Sequence, residues 1–150
     1  MRFSTRRGVV RESWQVRDEE PNWQPVSAVP MLTARVAEGV QLAREHLDLL
    51  REAHRYQLDD ATVTRVIQTW QVTCDDLDLL FAEQGRRWRQ QTRGTRRQAD
   101  VERYCALVDE ERSLVEEILR LAGELQRVTI DRLLAKSDLE VGIETLFGPR

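Results

Sequence analysis

The sequence predicts an all-α protein: an antiparallel three-helix bundle with an irregular N-terminal arm and a short C-terminal helix. Three observations predict it. Apolar residues recur at threes and fours over stretches far longer than any ordinary strand. Only seven glycines and four prolines occur in 150 residues, which leaves little turn-forming material and suits long helices. The clearest stop signals, Asp59-Asp60 and Arg93-Gly94-Thr95, fall between the periodic stretches. At this length the chain fits one domain, able to bury roughly 70% of the surface its unfolded form exposes. The expected organisation is an arm over residues 1–29 and a single helical bundle over residues 30–150.

The arm lacks a clean period. Pro21, Pro25 and Pro30 punctuate it, and Trp14 and Trp23 are its bulky apolar groups, suited to strapping it onto the bundle. Pro30 fits the first turn of a helix, where its missing N–H has no partner to lose. From there Leu32, Val36, Val40, Ala43, Leu47 and Leu50 make one apolar face, and the helix is expected to run to about Tyr56. Asp59 and Asp60 close a short turn and cap the next helix.

The second helix has the cleanest pattern in the chain. Val63, Ile67, Trp70, Cys74, Leu77, Phe81, Gln84 and Trp88 alternate steps of four and three, which is a heptad seam. The third, from about Arg96 to Lys136, carries two adjacent seams. One is Tyr104, Leu107, Leu114, Ile118, Leu121, Leu125 and Val128; the other is Val101, Cys105, Val108, Val115, Leu119 and Ala122. A helix with two seams touches two neighbours. Glu111 and Arg112 interrupt both, and the favoured reading is that they snorkel outward. The sharper reading is a buried polar layer in which Arg112 meets Asp75 or Asp76. Ser137-Asp-Leu-Glu140 reads as a capping box opening a short fourth helix, with Leu139, Ile143, Leu146 and Phe147 as its apolar face.

Short links make neighbouring helices antiparallel. That places the arm, the start of the first helix and the turn at residue 94 at one end of the bundle. The third helix, at roughly 41 residues and ~60 Å, outruns the second, at roughly 32 residues and ~48 Å.

Catalytic and metal chemistry find no motif. The serines sit in no Gly-x-Ser-x-Gly turn, and the glycines are too isolated for a phosphate loop. His46 and His54 are eight apart, so they do not share an i, i+4 metal face, and surface or boundary positions suit both. Cys74 and Cys105 lie on helical stripes and, folded as a hairpin about Gly94, stand roughly 15 Å apart along the axis, too far for a bridge. Both are expected reduced and buried. No enzyme, cofactor or metal is expected. No run approaches the roughly 18 apolar residues of a membrane span, and the N-terminus has no apolar signal core. A soluble cytoplasmic protein is the expectation.

One charge feature stands out. The chain carries a formal net charge of −3, yet Arg86, Arg87, Arg89, Arg93, Arg96 and Arg97 cluster about the predicted turn. Arg6 and Arg7 of the arm are expected to emerge beside them, and Asp18, Glu19 and Glu20 to neutralise part of the patch. These eight arginines are the candidate site for a polyanion or protein partner. The leading expectation is a non-catalytic interaction or adaptor protein, a small subunit of a larger assembly or a self-associating one. The alternative is an accessory subunit that holds a nucleic-acid backbone on the arginine tip. A small-molecule regulator with a pocket near Trp70 is a third class without a motif.

Overall fold

The computed structural model describes residues 21–53 and 58–147; along the last helix, side chains are described through Val128 and again at Leu134 and Ala135. The elements are α1 (Val29–Glu52), α2 (Asp60–Asp76), α3 (Ala82–Thr92) and α4 (Gln98–Phe147). A 3-10 turn at Val26–Ala28 leads into α1, and a π-helical turn at Leu77–Phe81 joins α2 to α3 without a break. Among the described residues there is no β-strand. The chain is all-α, with α1, α2 and α3 packed against the long α4.

Local chemistry accounts for the boundaries. Pro30 sits in the first turn of α1. The Asp59 carboxylate accepts the Thr62 backbone N–H at 2.7 Å, capping α2 as the sequence implies. That hydrogen bond also holds the Asp59 carboxyl below its ordinary range. Between α3 and α4, Gly94 takes φ 75°, a left-handed conformation that a side chain disfavours. The Thr95 hydroxyl accepts the Arg97 N–H at 3.2 Å and donates to the Thr92 carbonyl at 2.7 Å. The Gln98 side chain accepts the Gly94 N–H at 3.0 Å. The turn is therefore built by its own residues, and the helices on either side are separate elements.

Contacts between the helices fix their directions. Arg89 meets Glu102, Asp78 meets Arg112, and Thr64 meets Gln126. Falling numbers against rising ones make α2–α3 antiparallel to α4. Against α1, the order rises on both sides: Val29 to Ala37 lie beside Asp100 and Arg103, and Arg44 pairs with Glu110.

Three expectations are corrected. First, α4 is one helix of 50 residues that passes straight through Ser137, so the short C-terminal helix does not form as a separate element. A capping box stabilises a helix start only where the chain has left the helix. Lys136-Ser137-Asp138 contains neither Gly nor Pro to force an exit, and restarting would require a second costly nucleation. Second, α1 ends at Glu52, four residues short of the expected stop, with Ala53 in an extended conformation.

Third, the buried line of α4 is neither of the two seams. It runs between them: Val101, Tyr104, Val108, Glu111, Val115, Ile118, Ala122 and Leu125 are the buried positions. Leu107, Leu114, Leu119 and Leu121 flank it, only partly buried. Neighbours on both flanks bury most completely the residues that face the space between them. Glu111 occupies a step in that line with 0% exposure, so it does not snorkel, whereas Arg112 is exposed and pairs with Asp78 at 2.6 Å. Of the members expected for a polar layer, Asp76 is inside, at 2% exposure, while Arg112 pairs outside with Asp78; His46 is also buried. His46 is therefore no surface histidine. Its ring lies 5.5 Å from that of Trp70, which fills the bundle interior there. His54 lies outside the described residues.

Candidate interaction surface: the arginine pole and the free end of α4

The pole begins with a strap. Residues ahead of α1 cross the end of α3, where Gln84 is fully buried on the seam. Its side-chain oxygen accepts the Gln24 backbone N–H at 2.7 Å, and its amide nitrogen donates to the Gln24 carbonyl at 3.2 Å. The Trp88 indole N–H donates to the same carbonyl at 2.9 Å. One buried amide thus replaces the two hydrogen bonds that a neighbouring strand would offer this peptide unit. Trp23, beside it, lies under the Arg87 guanidinium, 4.4 Å from ring centre to carbon.

Tyr104 locks the hairpin under this strap. Its ring packs edge-on against Trp88 with centroids 5.0 Å apart. Its hydroxyl donates to the Phe81 carbonyl at 2.8 Å, at the end of the π-helical turn. Gly85 makes room: a Cβ there would stand 3.2 Å from the Tyr104 ring and 2.9 Å from the Cys105 sulfur. Cys74 and Cys105 are unbonded and half-buried rather than fully buried. Burial is the main cause that raises both thiols above their ordinary range, which keeps them protonated and unreactive.

The structure divides the six arginines of the turn into two groups. Arg86 and Arg87 both reach Glu83, at 2.7 and 3.6 Å, and Arg89 grips Glu102 with two parallel hydrogen bonds at 2.8 and 2.9 Å. The Arg89 hydrogen bonds hold the Glu102 carboxyl below its ordinary range. Arg93, Arg96 and Arg97 are exposed on the turn, and their side chains have no partner among the described residues. Among the described residues, neutralisation comes from Glu83 and Glu102 on the helices. Arg6, Arg7 and the acids Asp18, Glu19 and Glu20 lie outside the described residues.

Two further surface features lie outside the arginine cluster, and only the second is visible in the sequence pattern. One is a groove of about 290 Å³ beside the pole, lined by Val29, Pro30, Thr33, Ala34 and Ala37 of α1 with Asp100 and Arg103 of α4. Of its residues, the sequence marks only Pro30, as a first-turn residue of the helix. The other is the far end of α4. Gln126 donates to Thr64, four residues into α2, at 3.3 Å, and among the described residues it is the last of α4 to hydrogen-bond another helix. Residues 131–147 continue the helix for ~25 Å at ~1.5 Å per residue past the point where α2 begins. Leu134, within this extension, is 59% exposed.

Among the described residues no group of three or more His, Cys, Asp or Glu side chains is placed to hold a metal ion, and no helix is long and apolar enough to cross a membrane. Comparison with protein-family models, curated proteins and solved structures returned no match.

Proposed function

We propose that the protein is a non-catalytic helical interaction subunit that self-associates, its stable body an antiparallel three-helix bundle. The observation that carries this reading is the extension of α4. By sequence, residues 131–147 include Leu133, Leu134, Leu139, Val141, Ile143, Leu146 and Phe147, an apolar load beyond what solvent alone favours. An isolated helix of this length is marginal in water, and most helical stability comes from burying a face against a partner. Among the described residues the last hydrogen bond from α4 to another helix is at Gln126, and the helix runs on to Phe147, a length suited to receive another chain. The unbonded thiols fit a reducing compartment such as the cytoplasm.

Light scattering across a concentration series tests the reading. A mass above that of one chain, rising with concentration, is the expected outcome. A strict monomer throughout the series counts against it.

The second reading, contact with a nucleic-acid backbone, keeps support from Arg93, Arg96 and Arg97, the arginines of the turn that have no ion pair among the described residues. Three phosphate contacts would give a slope of log affinity on log salt of about −3, at roughly −0.9 each. Titration of a labelled oligonucleotide at two salt concentrations measures it. Affinity indifferent to salt removes this reading.

A further inference from the structure

We infer that the extension of α4 docks in the groove beside the arginine pole of a second copy, so that the chains join head to tail. The inference rests on the self-association proposed above and names its two surfaces. Three observations lead to it.

The first is direction. α1 and α4 run the same way along the body, and the groove lies between the first turns of both, spanning Pro30 to Ala37, ~10 Å at ~1.5 Å per residue. The extension leaves the opposite end of the same helix. A helix that continues the long axis of one copy therefore meets, in the next, a groove parallel to that axis.

The second is charge. From residue 86 to residue 103 the pole carries seven arginines against Asp100 and Glu102. The extension carries Asp131, Asp138, Glu140 and Glu144 against Arg132 and Lys136. Each surface opposes its own kind and complements the other. Pole against pole would bring the exposed Arg93, Arg96 and Arg97 of two copies together, a like-charge contact that disfavours that pairing.

The third is shape. The groove walls are small or short, Pro30, Ala34 and Ala37 among them, so a helix can approach α1 closely and insert larger side chains. The contact is heterologous: each copy offers one groove and one extension, so association does not close at two.

The test uses the full chain in three forms. One is wild type. The pole variant carries Arg93→Glu, Arg96→Glu and Arg97→Glu. The tail variant carries Leu139→Gln, Ile143→Gln and Leu146→Gln, changes that keep helix propensity and leave the net charge alone. Circular dichroism melts confirm that each is folded, and sedimentation velocity reads the mass.

Wild type is expected to grow past a dimer as concentration rises, and to associate more weakly as salt is added. Each variant alone is expected to associate at least tenfold more weakly. Mixed together, the two should form a 1:1 pair that grows no further, because one supplies only an extension and the other only a groove. A closed wild-type dimer that the pole variant retains overturns the head-to-tail contact while leaving self-association standing. A wild type that stays monomeric overturns both. An arginine pole that binds an oligonucleotide with a steep salt slope, in a chain that never self-associates, assigns the pole to nucleic acid instead.

Discussion

Gly85 sits in mid-helix, where glycine costs up to about 1 kcal/mol relative to alanine. The Tyr104 ring occupies the space that a side chain would take, and its hydroxyl reaches the Phe81 carbonyl only because it lies so close to the α3 backbone. Gly85→Ala is therefore expected to lower stability by about 1–3 kcal/mol despite the better helix former, through overpacking. Urea unfolding measures it, and adding Cys105→Ala should recover part of the loss by removing the nearer obstacle. Gln84 makes a second residue-scale case. Gln84→Leu keeps the seam apolar but strips two hydrogen bonds from the Gln24 peptide, with an expected cost of about 1–3 kcal/mol. Faster amide exchange at Gln24 would locate the loss at the strap. His46 supplies a pH signature. Burial lowers its pKa from the ordinary 6.5, so the native state keeps the ring neutral where the unfolded chain would protonate it. Stability from this residue is complete above about 6.5 and declines as pH falls below that value. His46→Gln should flatten the dependence in that window, as read by thermal melts at a series of pH values.

Element by element, periodicity read the helices well and their neighbours less well. The seam from Val63 to Trp88 survives the π-helical turn at Leu77–Phe81, where an extra residue enters without turning Leu77, Phe81 or Trp88 out of the core. Nothing in the residue types announces that turn, because Leu-Asp-Leu-Leu-Phe suits either helix. In α4, two overlapping apolar stripes were visible, and the direction of each neighbour decided which line between them is buried. Ser137 tests the account of this helix. As an N-cap its replacement by alanine would cost roughly 0.5–2 kcal/mol. Inside a continuous helix, Ser137→Ala should instead raise stability by a few tenths of a kcal/mol. The sign of the change in denaturation midpoint separates the two.

Across the molecule as a whole, arginines gather at the start of α4, and the sequence places many apolar residues in its last turns. Arg93, Arg96 and Arg97 make no side-chain hydrogen bond or ion pair among the described residues, so replacing them with glutamate should change folding stability by no more than about 0.5 kcal/mol. Loss of association with unchanged melting would mark the pole as a binding surface. Arg89 behaves otherwise. It joins α3 to α4 through Glu102, and Arg89→Ala removes an exposed pair worth at most about 1 kcal/mol. Equilibrium unfolding distinguishes these two kinds of arginine, which sequence clustering treated as one patch. Which arginines are paired depends on whether a glutamate arrives across the hairpin or along the same helix, and only the folded register supplies that.

Residue order was enough to make this chain helical, to set where its hairpin bends, and to gather arginine at the bend. Each of these follows from short-range chemistry: a 3.6-residue period, a cap at Asp59, and a glycine that accepts a left-handed turn at residue 94. Tertiary structure alone decided that Glu111 and Asp76 are inside, that Gln84 clips the strap, that three of six arginines are already engaged, and that α4 continues unbroken past Ser137. Those outcomes depend on which surfaces meet, and a side chain's burial or partner is a property of the meeting rather than of the residue.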